Sequence, residues 1–389
     1  MECCDVLIVG GGPAGSSCAW GLRQAGLDVL VLDKRAFPRD KPCAGWITPE
    51  VTNLLQIDIL EYGRGCMVQP ITGFRVSRIG GREIETDYGR TISYGIRRCE
   101  FDQYLLNRRG ARVREGAHVR VIESTTQGWL VDNEIKARLI VGAGGHFCPV
   151  ARLAEGQCDG AEQAVTAQVV EFEMTRTQAR ACPVRPDVPE LYFCEDLRGY
   201  GWCVRKGDYL NVGLGREDTR QLPNQVRAFV EFLQSRGRIP RLTNPRFQGH
   251  AYLLYSGSHR TPVGDRMLLV GDAAGLASAY SGEGIRTAVE SGLMAAQSII
   301  DAAGDYAAAR LQSYANELIA RFGPPGVDDG LLSRLPTSIK LALAGPFFAS
   351  RTFVRRIVLD RWFLHSGKAR ARPQRRAVQS TSASRSLTP

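Results

Sequence analysis

The sequence predicts an α/β protein that combines a parallel-sheet nucleotide-binding domain, an interleaved antiparallel sheet and C-terminal helices. Three observations lead to this fold class. An apolar strand at 5–9 runs into a glycine-rich turn, a helix and a second apolar strand. An apolar strand ending in glycine returns at 139–145 and again at 267–275. Between those two, residues 163–254 alternate in short pieces, which is typical of antiparallel strands.

The first turn has the spacing of a phosphate-binding loop. Gly10, Gly12 and Gly15 form G-x-G-x-x-G, with Pro13 and Ala14 inside it. The first glycine permits a tight turn, the second lets the backbone approach a pyrophosphate, and the third lets the helix pack on the strand. The positive end of the following helix attracts the phosphates.

An acidic residue completes this unit. The second strand, at 27–32, ends at Asp33, which is followed by Lys34. A carboxylate at a strand tip can accept hydrogen bonds from ribose hydroxyls. The order of strand, turn, helix, strand and acid therefore predicts a dinucleotide cofactor. The alternative is a glycine-rich turn in another kind of α/β protein.

Composition limits the remaining function classes. The 389 residues are 44% hydrophobic and 23% charged, with a net charge of +10. No apolar run approaches the about 20 residues of a spanning helix, so we expect a cytoplasmic protein, at most peripheral to the inner membrane face. Eleven cysteines without C-x-x-C predict neither a metal nor a disulfide framework. The basic tail lacks interleaved aromatics, which argues against nucleic-acid binding, and we expect a monomer or homodimer.

Periodicity supplies a coarse map of the remaining chain. The pattern predicts helices over 16–25, 47–62, 100–109, 222–235, 285–300 and 306–322. It predicts short antiparallel strands within 71–96 and a small meander over 117–121, 128–131 and 135–136.

Three distant segments together carry a family resemblance. Residues 10–15 with Asp33, residues 139–145 and residues 269–284 resemble FAD-dependent oxidoreductases of the para-hydroxybenzoate hydroxylase fold. Within that group, the chain over 5–320 is most similar to the geranylgeranyl reductase family. The resemblance implies FAD as cofactor, held by a Rossmann-like domain of the GR2 type.

The resemblance also implies roles for residues on the cofactor side. Gly271 and Asp272 begin a G-D-A-A motif whose acid holds the ribityl chain of FAD in the family. Arg98 begins R-x-x-F-D, whose arginine lies near the flavin and its phosphates; a surface salt bridge is the alternative. The pyrimidine edge of the flavin is expected to face the turn and helix start formed by Gly282, Glu283, Gly284 and Ile285.

A loop and a strand are expected to surround the flavin ring. The segment 39–45 is similar to the family's R-x-K-P-C-G-G loop and contributes Arg39, Cys43, Ala44 and Gly45, with Ala44 replacing a glycine. Cys43 either assists proton delivery and flavin tuning or is a buried thiol. Tyr200 and Trp202 match the family's Y-x-W strand and either line a substrate pocket or belong to the core.

One position departs from the family pattern. Gly144 stands where relatives commonly have an aspartate that helps to place FAD. The electron donor is therefore left open between NADPH, NADH and reduced ferredoxin.

The resemblance and the pattern together divide the chain into four parts. The FAD-binding domain is expected to be discontinuous, over 1–70, 93–160 and 255–305, and the substrate-binding sheet domain covers 71–92 and 161–254. A C-terminal helical region at 306–366 precedes a disordered basic tail at 367–389.

The function implied is reduction of carbon–carbon double bonds in an isoprenoid or other hydrophobic substrate by reduced FAD. Cys43, Tyr200 and Trp202 are the catalytic candidates, and Tyr280 is a further proton-donor candidate. The arginine-spaced segment 353–364 either contacts an anionic membrane or packs on the body. The alternatives are a flavin-dependent monooxygenase or halogenase acting on an aromatic or polyketide compound, and a non-enzymatic flavin-binding redox sensor.

Overall fold

The computed structural model describes residues 1–108, 110–155, 164–219, 221–242, 245–325 and 337–365. These residues form a mixed α/β fold with an eight-stranded, a seven-stranded and a three-stranded sheet. The predicted fold class is confirmed. The tail at 367–389 lies outside the described residues.

The strands follow one another along the chain in this order: β1 Glu2–Val9, β2 Val29–Asp33, β3 Trp46–Ile47, β4 Val68–Ile71, β5 Gly73–Arg78, β6 Ile84–Asp87, β7 Ser93–Ile96, β8 Arg112–Glu115, β9 Ile122–Thr125, β10 Gly128–Val131, β11 Ile135–Gly142, β12 Val165–Glu173, β13 Glu190–Phe193, β14 Gly199–Lys206, β15 Tyr209–Arg216, β16 Gln248–Tyr252, β17 Val263–Gly264 and β18 Met267–Leu269.

The α-helices are α1 Pro13–Gln24, α2 Pro49–Leu54, α3 Ile59–Tyr62, α4 Arg98–Leu106, α5 Pro149–Glu155, α6 Arg176–Ala181, α7 Leu222–Ser235, α8 Ile285–Asp301, α9 Ala308–Phe322, α10 Thr337–Ala349 and α11 Arg351–Phe353. Short 3₁₀ turns cover Tyr255–Gly257 and Gly271–Ala274, and α11 continues into a π-helical segment, Val354–Phe363.

The first sheet carries the glycine-rich turn at the end of its central strand. Strands β18, β11, β1, β2 and β8 lie side by side and pair in parallel. The second half of β1, residues 6–9, is a continuous buried apolar run, as expected in a parallel sheet. Helix α1 follows the turn and packs closely on α8. The carboxyl ends of β1, β2, β11 and β18 therefore meet at one edge.

The second sheet has two covered faces. Its order is β16-β12-β15-β14-β13-β5-β6, antiparallel except between β13 and β5. Because neighbouring residues of a strand point to opposite faces, Cys203 faces α7 while Trp202 faces the C-terminal helices. Phe348 and Phe363 of those helices are buried against the Trp202 face.

Two local predictions were wrong. The predicted helix over 47–62 is divided, because Ile47 belongs to β3 and Gln56 adopts a positive φ of 51°. Asp58 then starts α3 by accepting hydrogen bonds from the Leu60 and Glu61 amides. The expected strand over 117–121 is not formed, since Asp132 Oδ1 accepts from the amides at 120 and 121, and β9 takes its place.

The C-terminal helices raise the question of a membrane span. None of the helices in the described part of the chain is both long enough and apolar enough to cross a bilayer.

The close contact between α1 and α8 predicts a sensitive position. A Cβ added at Gly292 would lie 2.3 Å from the Ala14 carbonyl oxygen, so Gly292→Ala must push the two helices apart. We expect a loss of about 1–3 kcal/mol in the free energy of unfolding, measured by urea denaturation. Gly65→Ala is the control, because a Cβ there meets no atom within 4 Å. Equal stability of the two variants would contradict the packing described.

Candidate functional site

One cavity of about 910 Å³ lies between the first sheet, the loop after β2 and the second sheet. It gathers most of the residues that the sequence singled out. The predicted site residues in its wall are Gly10, Gly12, Pro13, Ala14, Asp33, Lys34, Arg39, Cys43, Ala44, Gly45, Arg98, Gly144, Tyr200, Trp202, Asp272, Gly282, Glu283, Gly284 and Ile285. Gly15 and Gly271 are not in the wall. Both lie behind the wall. A Cβ at Gly15 would collide with Gly10 O, and a Cβ at Gly271 would lie 2.9 Å from Ala14 Cβ.

The glycine-rich turn leaves an open surface at the N-terminus of α1. Gly10 has φ +118°, and a Cβ there would lie 2.4 Å from Ala143 O, so the turn packs directly on the end of β11. Gly12 is the N-cap of α1 and has no side chain to cap it. The nearest atom to a Cβ at Gly12 would be Arg39 Nη2 at 3.5 Å. Gly10 N and Gly11 N already donate to Leu32 O and to Asp33, so the amides in the first turn of α1 are the ones that can face a diphosphate.

Asp33 is held at the edge of this surface. Its carboxylate accepts hydrogen bonds from Gly11 N at 2.8 Å and from Arg35 N at 2.9 Å. Each carboxylate oxygen has a second lone pair, so the group can still accept from ribose hydroxyls. This geometry fits the role that its place at the end of β2 predicts.

Two arginines in the wall share one buried carboxylate. Arg98 makes two hydrogen bonds to Asp102, of 2.8 and 2.9 Å, and Arg39 Nη1 lies 3.2 Å from the same carboxylate. Burial alone would lower the pKa of Arg98, but Asp102 outweighs it and raises that pKa above its ordinary value. Arg39 Nη2 also lies 4.0 Å from Asp33 Oδ2, so these two arginines are shared between two carboxylates.

A polar chain that the sequence did not single out crosses the cavity wall. Lys41 Nζ lies 3.0 Å from His250 Nδ1, and His250 Nε2 lies 3.2 Å from Asp272 Oδ2. Burial lowers the pKa of Lys41 to about 8, although Asp272 opposes the shift. Burial and the Lys41 charge also lower the pKa of His250. Lys41 lies in a recognised loop motif, but His250 is on β16, where no motif marks it.

The loop that carries Cys43 is tied to the second sheet by buried polar groups. Asn211 Nδ2 donates to Cys43 O at 2.9 Å and to Glu171 Oε2 at 3.0 Å. Lys206 Nζ donates to the same Glu171 oxygen at 2.7 Å. Gly45 has φ +69°, and a Cβ there would lie 2.4 Å from the backbone oxygen of Ile96, so the loop requires a glycine at this position.

The two aromatic candidates on β14 both use their polar atoms. Trp202 is 5% exposed, and its indole N–H donates to Asn211 Oδ1 at 2.8 Å. Tyr200 donates its hydroxyl to the carbonyl of Ser281. Both rings line the cavity, yet their polar atoms hold neighbouring loops. Tyr280 is not in the cavity wall and stacks on Trp362 with a centroid distance of 5.9 Å.

The turn before α8 leaves another helix N-terminus beside the cavity. Gly284 is the N-cap of α8 and has no side-chain cap. The Glu283 carboxylate is directed away, toward His365 Nε2 at 2.9 Å and Arg286 Nε at 3.5 Å. Gly282 N and Glu283 N already donate to residues 278 and 281, so the amides at the start of α8 are the ones that can face a partly anionic ring edge.

Gly144 is also explained by packing. It lies in the cavity wall, and a Cβ there would be 3.2 Å from Cys148 Sγ and 3.3 Å from Cys148 Cα. An aspartate at position 144 would therefore fit only if Cys148 moved.

The chain matches a known family over most of its length. The FAD binding domain family matches residues 3–321. An uncharacterized protein of Methanosarcina barkeri is 30% identical over 314 residues, 77% of this chain and 75% of that protein. A menaquinone reductase of Mycobacterium tuberculosis is 30% identical over 322 residues, 75% and 76% of the two chains. A digeranylgeranylglycerophospholipid reductase of Methanosphaera stadtmanae is 28% identical over 350 residues, 82% and 83%.

Solved structures agree on the fold. A geranylgeranyl bacteriochlorophyll reductase-like protein from Thermoplasma acidophilum has a TM-score of 0.74 at 23% identity, covering 95% of this chain and 97% of that one. A single-residue mutant of the halogenase PltM in complex with FAD has a TM-score of 0.65 at 18% identity, covering 82% of this chain and 74% of that one. The family match and the cavity geometry identify the chain as an FAD-dependent oxidoreductase that belongs to the FAD binding domain family, and relatives such as the Methanosphaera stadtmanae reductase support the predicted resemblance to geranylgeranyl reductases.

Proposed function

We propose that the protein uses reduced FAD to reduce carbon–carbon double bonds of an isoprenoid or similarly hydrophobic substrate. The observation that carries this proposal is the cavity itself. It runs from the glycine-rich turn to a wall of apolar and aromatic side chains on the second sheet. Ala167, Val169, Tyr200 and Trp202 of the second sheet form that wall, and Trp46 of β3 adjoins them. Relatives named as reductases of a geranylgeranylated lipid and of menaquinone support the same substrate class.

The residues present fit FAD. The turn at Gly12 and the N-terminus of α1 would hold the diphosphate, Asp33 the ribose and Asp272 the ribityl chain. The turn before α8 would face the pyrimidine edge. When bound, FAD supplies the two-electron chemistry that the protein side chains lack.

The protein's own contribution is to shape and dry the reaction space. Asn211, held by Trp202 and Glu171, fixes the Cys43 loop on one side of the cavity. Phe363 packs on Tyr200 with a centroid distance of 5.3 Å and closes the sheet side. Apolar walls of this kind bind a greasy chain through the hydrophobic effect and keep water from the reacting carbon atoms.

The central prediction concerns the product. Protein reduced anaerobically with dithionite and mixed with geranylgeranyl lipids should add two hydrogens per double bond, detected by mass spectrometry. Oxidised protein without reductant is the control. A product that gains oxygen under air, together with substrate-dependent oxygen consumption, would replace this proposal with the monooxygenase alternative. The same assay with NADH, NADPH and reduced ferredoxin would identify the electron donor.

Halogenation is the second candidate, and one residue favours it. The fold is shared with a halogenase, and a lysine between flavin and substrate is needed for that chemistry. Lys41 lines the cavity, whereas Lys206 is buried and paired with Glu171. Bromide-dependent consumption of an electron-rich phenol would support halogenation, and its absence alongside alkene reduction would exclude it.

The Lys41 ammonium predicts a pH-dependent cofactor affinity. This group is charged below its pKa of about 8 and neutral above it, so its attraction to an anionic cofactor is lost as pH rises. We expect the Kd of FAD to rise about tenfold between pH 7 and pH 10, the value of one charged hydrogen bond. Lys41→Met should remove this pH dependence, whereas Lys136→Met, on the exposed side of β11, should keep it. An unchanged pH profile in Lys41→Met would contradict the role assigned to Lys41. The Kd of FAD for each variant at each pH is measured by the quenching of flavin fluorescence.

Contact with a membrane surface would bring a lipid substrate to the cavity, and we propose it for the C-terminal helices. Arg351, Arg355 and Arg356 are exposed there, as are Ile339 and Leu343 of α10. Cations beside exposed apolar side chains suit an anionic lipid surface. The protein should sediment with phosphatidylglycerol vesicles and not with phosphatidylcholine vesicles, and Arg351→Gln with Arg356→Gln should weaken that binding. Equal binding to both kinds of vesicle would contradict this electrostatic contact.

A further inference from the structure

Tyr252 ends the edge strand β16 and lines the cavity. It lies two residues after His250, so both side chains are on the same face of the strand. The two rings are in contact, with a centroid distance of 5.6 Å and an interplanar angle of 33°. The phenol is therefore held next to the Lys41–His250–Asp272 chain.

The hydroxyl of Tyr252 lies against the turn proposed for the flavin edge. A Cβ at Gly282 would be 2.5 Å from the Tyr252 hydroxyl oxygen, so only a glycine leaves room for it. Gly282 also has φ +64°, a conformation that favours glycine. The phenol and the turn before α8 thus share one corner of the cavity.

This hydroxyl differs from three other proton-bearing groups of the cavity wall. Tyr200 donates to Ser281 O, Trp202 to Asn211, and Lys41 to His250. Tyr252 makes no hydrogen bond to any residue that the structure describes. The Tyr252 oxygen is also accessible to solvent, because it is not one of the described polar atoms that are both inaccessible and without a partner. Its O–H is thus available to a ligand in the cavity.

The protonation state suits a donor. Burial, assisted by the Asp272 carboxylate, raises the pKa of Tyr252 well above the ordinary value for a phenol. The group therefore carries its proton throughout the neutral range, and a carbanion-like centre is far more basic than any phenolate.

We propose that Tyr252 is the residue that supplies the proton in double-bond reduction, an inference that rests on the proposed function. The alkene gains a hydride from reduced FAD, which is thereby oxidised, and a proton from the Tyr252 hydroxyl. The former π electron pair forms the second C–H bond, and the tyrosinate regains a proton from water. Two C–H bonds form, while the π bond, the Tyr252 O–H bond and the N–H bond of reduced FAD that carried the hydride break.

The test compares Tyr252→Phe with Tyr200→Phe and the unchanged protein. Because the Tyr252 hydroxyl has no partner among the described residues, its removal should leave the visible spectrum of bound FAD unchanged. The Kd of FAD should stay within twofold of the value for the unchanged protein. Substrate affinity, followed as a change in the flavin spectrum of the oxidised protein, should also be unchanged. Turnover of the prereduced protein should fall about 100-fold, as expected for loss of a general acid. Tyr200→Phe removes a hydrogen bond to the Ser281 turn, so it should perturb the flavin spectrum.

A fluorinated tyrosine keeps the test decisive if Tyr252→Phe binds FAD poorly. Trifluorotyrosine at position 252 retains the hydroxyl but ionises at lower pH. Its turnover should fall as pH rises through that ionisation, whereas turnover of the unchanged protein should stay constant there.

The outcomes separate this inference from the proposed function. Turnover of Tyr252→Phe within threefold of the unchanged protein, or a flat pH profile with trifluorotyrosine, would overturn the role of Tyr252 and leave alkene reduction intact. Failure of the unchanged protein to saturate any geranylgeranyl lipid would overturn the proposed function itself.

Discussion

The cofactor cavity depends on how closely the backbone of the first turn can approach its neighbours. Gly10 touches the end of β11, Gly15 touches Gly10, and Gly292 brings α8 onto the start of α1. At each contact a single Cβ would fill the space. Only this close packing sets the N-terminus of α1 opposite the ends of β2 and β18, where Asp33 and Asp272 lie. The phosphate-facing and sugar-facing groups of the site are therefore consequences of backbone approach.

Buried charges fix the rest of the wall. Arg98 and Arg39 both contact the Asp102 carboxylate. Lys206 and Asn211 both donate to Glu171. Behind α8, the guanidinium groups of Arg286 and Arg321 both contact Glu290. Such pairs add little net stability, because desolvation offsets their attraction. Breaking one is nevertheless costly, since the remaining charge is left unpaired. Their effect here is to hold loops in single positions around the cavity.

The same fold carries different flavin reactions, so the fold does not choose between them. Side chains at the cavity wall must make that choice. In this chain Tyr200 and Trp202 use their polar atoms to hold neighbouring segments, while Ala167 and Val169 keep that side of the wall apolar. That distribution suits a hydrophobic substrate whose chemistry needs one hydride and one proton.

The sequence by itself determined the fold class, the cofactor and the motif residues that line part of the wall. This was possible because strands, turns and helix starts are local: the spacing of Gly10, Gly12, Gly15 and Asp33 already specifies a phosphate-binding unit. Motifs at Asp272 and Cys43 were equally readable, and both line the cavity.

Tertiary structure alone decided which groups meet across the two sheets. His250 and Tyr252 lie on an edge strand without a motif, and their partners come from segments more than 20 residues away. It also decided that the Trp202 indole holds Asn211 and that Tyr280 lies outside the wall. Sequence periodicity states which face of a strand is buried, but not what lies opposite. Contacts between distant segments depend on packing the whole chain.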